Sequence, residues 1–188
     1  VSNMLRGEAG TTFELKVKRT GEKKPLSFKI TRENIRVPQV PYYGLLQPGV
    51  GYICLTGFAD GAGKEMRQAL LELKKQGADR LILDLRDNPG GSLDESVDIA
   101  NLFIPKGKKV VYTKGKMAST NRDFYTAVEP VDTVMPLVVM VDGGTASSAE
   151  IVSGSLQDMD RAVIIGTRTF GKGLVQMIRD LPYGGNLK

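Results

Sequence analysis

The chain has 188 residues, of which 41% are apolar and 25% charged, and a formal net charge of +5. That is the make-up of an ordinary globular protein with one sizeable core. Its lysines and arginines are scattered among acids, which argues against a nucleic-acid surface, and no run approaches the roughly eighteen apolar residues of a membrane span. There is no histidine, which removes Ser-His-Asp and Cys-His catalysis and histidine-containing zinc sites together, so a serine nucleophile here would need lysine as its base.

Residues 1–31 read as a short helix with Met4 and Leu5, a turn from Gly7 to Gly10 and a hairpin. Phe13, Leu15 and Val17 alternate along the first strand, Gly21 marks the turn and residues 26–30 return. Residues 32–49 carry Pro38, Pro41 and Pro48 and read as an extended linker. Residues 50–58 are the expected first strand of the core, with the single Cys54 as a buried thiol that has no internal disulfide partner.

Met66, Ala69, Leu70 and Leu73 then follow the i, i+3, i+4, i+7 spacing of an amphipathic helix over residues 63–77, which Gly77 is suited to end. Residues 81–85 are apolar except for Asp84, as in a buried strand. Strand, helix and strand alternate, which predicts a parallel sheet.

The next stretch is Asp84-Leu85-Arg86-Asp87-Asn88-Pro89-Gly90-Gly91, followed by Ser92-x-x-Glu95, a capping box opening a helix that ends near Phe103. Asp84 and Arg86 are expected to form a structural ion pair. A basic cluster at residues 106–109 reads as a solvated loop, residues 109–113 as a strand, and the segment with Arg122, Asp123, Phe124 and Tyr125 as a polar loop.

Residues 137–141 form another buried strand, and Gly143 and Gly144 turn the chain into Thr145-Ala146-Ser147-Ser148-Ala149-Glu150-Ile151. Taken alone, Ser147 reads as a helix N-cap with Glu150 completing a capping box. A second apolar run at residues 162–165 leads into Thr169-Phe170-Gly171-Lys172-Gly173, and Lys172 alone reads as a solvated loop lysine. Past Gln176 a strand is expected to about Leu181, then a turn at Pro182 to Gly185.

Together these stretches resemble the carboxy-terminal processing proteases, the tail-specific serine peptidases that use a Ser-Lys dyad. Thr145 to Ile151 matches the family's T/S-A-S-x-x-E-I element, Thr169 to Gln176 its T-F-G-K-G-x-x-Q element, and Asp84 to Gly91 its D-L/V-R-x-N-x-G-G element. The separation 172 − 147 = 25 is also the family's spacing. One departure is Ala149, where the family often has a second serine.

The resemblance implies Ser147 as nucleophile, Lys172 as general base and Gln176 as the residue orienting the lysine. It implies the N–H groups of Gly91 and Ser148 as the oxyanion hole, where glycine allows a close approach. The base must be a neutral amine, so an apolar pocket walled by Phe170, Leu174 and Val175 is expected, and a carboxylate at position 176 would oppose it.

The implied fold is α/β, a crotonase/ClpP-like spiral core over residues 50–188 that is truncated at its C-terminus. Residues 1–31 resemble the C-terminal part of a PDZ domain, which binds a peptide end by adding it to a sheet edge. Implied further are protein or peptide substrates with apolar C-termini and no metal or organic cofactor. Nucleic acid is not an expected partner, a homo-oligomer is left open, and the location is the bacterial envelope or periplasm, or the lumen of photosynthetic membranes. Two other readings are kept: a non-catalytic peptide-binding scaffold in which Ser147 is only a cap, and an acyl-CoA-handling crotonase relative, which leaves Lys172 and Gln176 unexplained.

Overall fold

The computed structural model describes residues 2–35, 37–176 and 178–187. Two compact units divide at Val37 and Pro38.

In the first unit, helix α1 (Ser2–Leu5) precedes an antiparallel hairpin of β1 (Thr12–Val17) and β2 (Leu26–Thr31). Phe13, Leu15 and Val17 are the half-buried side of β1, as their alternation predicts, and Gly21 turns the hairpin at a φ of 91°. Arg32 fastens helix to hairpin. Its guanidinium donates to the Leu5 carbonyl at 2.9 Å and to the Thr11 hydroxyl at 2.9 Å, and lies over the Phe13 ring.

The second unit is built on one five-stranded sheet. Its strands are β3 (Tyr42–Gln47), β4 (Val50–Cys54), β5 (Arg80–Asp84), β8 (Leu137–Val141) and β9 (Val163–Gly166), in the order β3-β4-β5-β8-β9. The pairs β4–β5, β5–β8 and β8–β9 are parallel, as the alternation of elements predicts, whereas β3 runs antiparallel to β4.

The linker reading of residues 32–49 is corrected here. Tyr42 to Gln47 are an edge strand of the core sheet, reached through a tight turn at Gly49 (φ 80°). Pro41 and Pro48 flank β3 and contain it, so the prolines mark its ends and cost it no ladder hydrogen bond.

Helix α2 (Ala62–Lys75) connects β4 and β5 and buries Met66, Ala69, Leu70 and Leu73, each at 1% exposure or less. Gln76 caps it, and Gly77 follows at a φ of 91°. Helix α3 (Leu93–Ala100) follows β5. Its first turn carries Glu95, whose carboxylate accepts from the N–H groups of Gly61 and Gly63 and so serves the open start of α2.

After α3 the chain makes an antiparallel ribbon of β6 (Lys109–Thr113) and β7 (Arg122–Tyr125). The polar loop expected at residues 122–125 is therefore a strand, whose Phe124 is half-buried. Helix α4 (Ser148–Asp158) lies between β8 and β9, and a two-residue pair, β10 (Arg179–Asp180) with β11 (Asn186–Leu187), ends the chain. Cys54 is half-buried rather than buried.

Candidate active site

The loops after β5 and β8 leave adjacent parallel strands, so both emerge at the same end of the sheet, where open α/β folds present their reactive groups. Asn88 and Asp142 stitch these loops together. Asn88 is fully buried, donates through Nδ2 to the Leu55 carbonyl at 2.7 Å and accepts the Gly90 N–H at 2.9 Å. Its own carbonyl takes the Ala146 N–H at 2.9 Å.

Asp142 Oδ1 accepts from the N–H groups of Asp87 and Gly144, both at 2.9 Å, and of Thr145 at 3.1 Å. The Asp87 N–H leads the donors that hold this carboxyl below its usual range. Thr145, buried, sends its hydroxyl to the Leu85 carbonyl at 2.7 Å. Asn88 and Asp142 were not read as site residues, although an Asp followed by Gly-Gly is a turn signal.

These contacts deliver Ser147 in an unusual conformation, φ 56° and ψ −115°. An N-cap sits in the extended region and accepts an N–H with its side chain, as Ser92 does at φ −66° and ψ 133° with the Glu95 N–H. Ser147 and Glu150 stand in a capping-box arrangement, in which Glu150 Oε2 accepts the Ser147 N–H at 2.8 Å. The hydroxyl is left half-buried at the head of α4.

Gly90 is pressed against this turn. A Cβ there would lie 2.7 Å from the Ala146 carbonyl oxygen and 2.8 Å from both Ser147 Cβ and the Ser148 nitrogen. At Gly91, φ 156°, the obstruction is the carbonyl of Phe58, 2.5 Å from a would-be Cβ. Neighbouring backbone, then, is what excludes a side chain at both glycines.

Among the described residues, neither the Gly91 N–H nor the Ser148 N–H donates to a protein acceptor. Ser148 is the first residue of α4, whose N–H has no partner within the helix. The Ser148 hydroxyl donates to the Gly91 carbonyl at 3.0 Å and ties these two residues together.

The loop after β9 closes the site. Phe170 N–H donates to the Thr145 carbonyl at 3.0 Å. Glu150 Oε1 accepts from the Thr169 hydroxyl at 2.7 Å and the Gly171 N–H at 2.6 Å, and its Oε2 accepts the Lys172 N–H at 2.8 Å. Burial pushes the Glu150 carboxyl up, but these donors, the Thr169 hydroxyl foremost, outweigh it and hold the group below its usual range.

Ser147, Glu150, Ile151, Gly171, Lys172 and Gly173 line one open cavity of about 360 Å³. Nucleophile and lysine candidates thus share a cavity. A second cavity of about 320 Å³, between Tyr112 and Asp123 on the ribbon, contains no serine or cysteine.

One expectation is corrected here. Phe170, Leu174 and Val175 do not wall the lysine: they are 68%, 79% and 62% exposed, and Lys172 is itself exposed. Residues 167–176 form neither helix nor strand and are fastened by polar contacts to Glu150 and Thr145, so their apolar side chains have no element to pack against. Gln176 is exposed, does not border the cavity, and lies on a segment that is not an extended strand.

The Asp84–Arg86 pair has its expected form. Arg86 Nη2 approaches Asp84 Oδ2 at 2.7 Å, Nε approaches Oδ1 at 3.0 Å, and the Tyr52 hydroxyl donates to Oδ2 at 2.7 Å. Burial and this carboxylate push the Tyr52 phenol up to about 12.

Comparison with known proteins identifies the family. The carboxyl-terminal-processing protease of Synechocystis sp. is 41% identical over 97% of this chain and 43% of its own length, and that of Bartonella bacilliformis is 38% identical over 99% of this chain and 43% of its own. The photosystem II D1 C-terminal processing protease has a solved structure that superposes with a TM-score of 0.69 at 32% identity, over 98% of this chain and 51% of that one. The chain therefore spans less than half the length of these two relatives and about half of that structure. The model of peptidase family S41 matches residues 49–188, and with these similarities the chain belongs to peptidase family S41.

Proposed function

We propose that this chain carries the reaction centre of a serine endopeptidase that cleaves protein substrates near their C-termini, with Ser147 as nucleophile and Lys172 as general base. The observation that supports it most is Ser147 itself, held at φ 56° in the cavity that Lys172 also lines. A scaffold that used this serine only as a cap would have no reason to hold that strain.

In this reading the Lys172 amine takes the serine proton as Oγ attacks the scissile carbonyl and returns it to the leaving amine; water then releases the acyl group. The N–H groups of Gly91 and Ser148 would receive the negative charge of the tetrahedral intermediate. Gln176 would reach Lys172 only if its segment packs toward the cavity when substrate binds. The chemistry needs no metal, and the described residues include no cluster of His, Cys, Asp or Glu suited to one.

Residues 1–31 are read as part of a PDZ-like module, the sheet and its helices as part of a crotonase-like spiral core, and apolar C-termini as the preferred substrates. These extensions, like the bacterial envelope as location, rest on the family resemblance; among the described residues no helix is long and apolar enough to cross a membrane. The test is mass-spectrometric cleavage of an unfolded reporter with an apolar C-terminal tail by the full-length protein and its Lys172→Ala variant. Cleavage lost in the variant is expected; equal cleavage by both would exclude Lys172 as the base.

A further inference from the structure

The residue that draws Ser147 and Lys172 together in this structure is a third one. Glu150 lies in the first turn of α4, and its one carboxylate holds four donors from two separate segments: the Ser147 N–H, the Thr169 hydroxyl, the Gly171 N–H and the Lys172 N–H, at 2.6 to 2.8 Å. The loop after β9 has no secondary structure of its own from residue 167 to 176, and three of its attachments to the nucleophile helix are these bonds. A helix residue thus fixes a loop whose side chains are almost all exposed.

The chemistry of the group matters as much as its place. A carboxylate beside a general-base lysine would ordinarily favour the ammonium. Here both oxygens accept short hydrogen bonds from groups other than the amine, and among the described residues Lys172 makes no ion pair with Glu150. The negative charge is spent on N–H and O–H dipoles, as a carboxylate can be when several donors converge on it.

We propose that Glu150 is a positioning residue that sets the distance between the nucleophile and its base through their backbones, while its four donors keep its charge from capturing the lysine. The proposal rests on the Ser147–Lys172 reading. Glutamine cannot replace it, because whichever way its amide is turned, an NH₂ group must face two donors. Aspartate is one methylene shorter and cannot span both segments.

The test is steady-state cleavage of a peptide substrate by the full-length protein and its Glu150→Gln, Glu150→Asp, Thr169→Val and Thr169→Ser variants, beside Ser147→Ala and Lys172→Ala, each checked for native circular dichroism. We expect Glu150→Gln and Glu150→Asp to lower kcat by about 100-fold or more with KM within about 3-fold, the pattern of a misplaced reacting pair. Thr169→Val, which removes one donor of the four, should give an intermediate loss that Thr169→Ser restores. It is the deciding variant if those at Glu150 do not fold.

A kcat within about 3-fold of the parent in Glu150→Gln or Thr169→Val, with Ser147→Ala and Lys172→Ala inactive, would overturn the positioning role and leave the dyad standing. A loss carried by KM alone would also overturn it. Activity retained in Ser147→Ala or Lys172→Ala would overturn the dyad and this role with it.

Discussion

Ser92 and Ser147 each begin a Ser-x-x-Glu pattern, and their backbones part company. Ser92 is extended and accepts the Glu95 N–H with its hydroxyl, whereas Ser147 is held at positive φ. What separates them is the packing below, where Gly90 lets the loop after β5 lie directly against the turn at Ser147.

Replacing Gly90 by alanine sets a methyl group 2.7 Å from the Ala146 carbonyl oxygen at a φ of 89°. Such strain costs about 1–3 kcal/mol, and the displaced turn should lose about 100-fold in cleavage rate. Gly77 is the control: its φ is 91°, but nothing lies within 4 Å of a Cβ there. Gly77→Ala should lose less stability by thermal melting and keep the parent's cleavage rate, so a loss of activity confined to Gly90→Ala isolates the contact with Ser147.

At the scale of elements, the ends of β4 and β5 are braced by Asp84, which is buried and takes hydrogen bonds from Arg86 and Tyr52. Burial raises its carboxyl, but the Arg86 guanidinium and the Tyr52 hydroxyl outweigh that and leave it below its usual range. A carboxyl depressed in the folded state contributes stability that is complete above the unfolded value, near 4, and is lost as pH falls through the folded one. Arg86→Leu should therefore be less stable than the parent at pH 7, with the gap narrowing as pH drops below about 4, measured as urea midpoints across pH. A gap constant with pH would assign the loss to packing.

The buried strands and α2 were legible because their patterns are local: continuous apolar runs for β5 and β8, and a 3.6-residue spacing for α2. β3 was not, since Tyr42 to Gln47 show no alternation and three prolines lie around them. The clamp at Glu150 was half legible. Its capping-box spacing to Ser147 is three residues, but its hold on Gly171 and Lys172 spans 21 and 22 residues and follows from no local rule. The walls expected around Lys172 failed because apolar character says that a side chain can be buried, not that an element is there to bury it.

Across the whole molecule, the proposed reactive groups come from three separate loops, after β5, β8 and β9, at one end of a single sheet. In the proposed mechanism Lys172 is the base, and this chain contains no histidine. The most direct measurement is to capture the covalent step. The full-length protein is mixed briefly with a peptide ester ending in an apolar residue, quenched in acid, digested and mapped by mass spectrometry. The Ser147–Lys172 mechanism predicts an acyl group on the fragment containing Ser147, absent from Ser147→Ala and Lys172→Ala. An acyl group on any other residue, or one still formed on Ser147 at the parent's rate in Lys172→Ala, would contradict it.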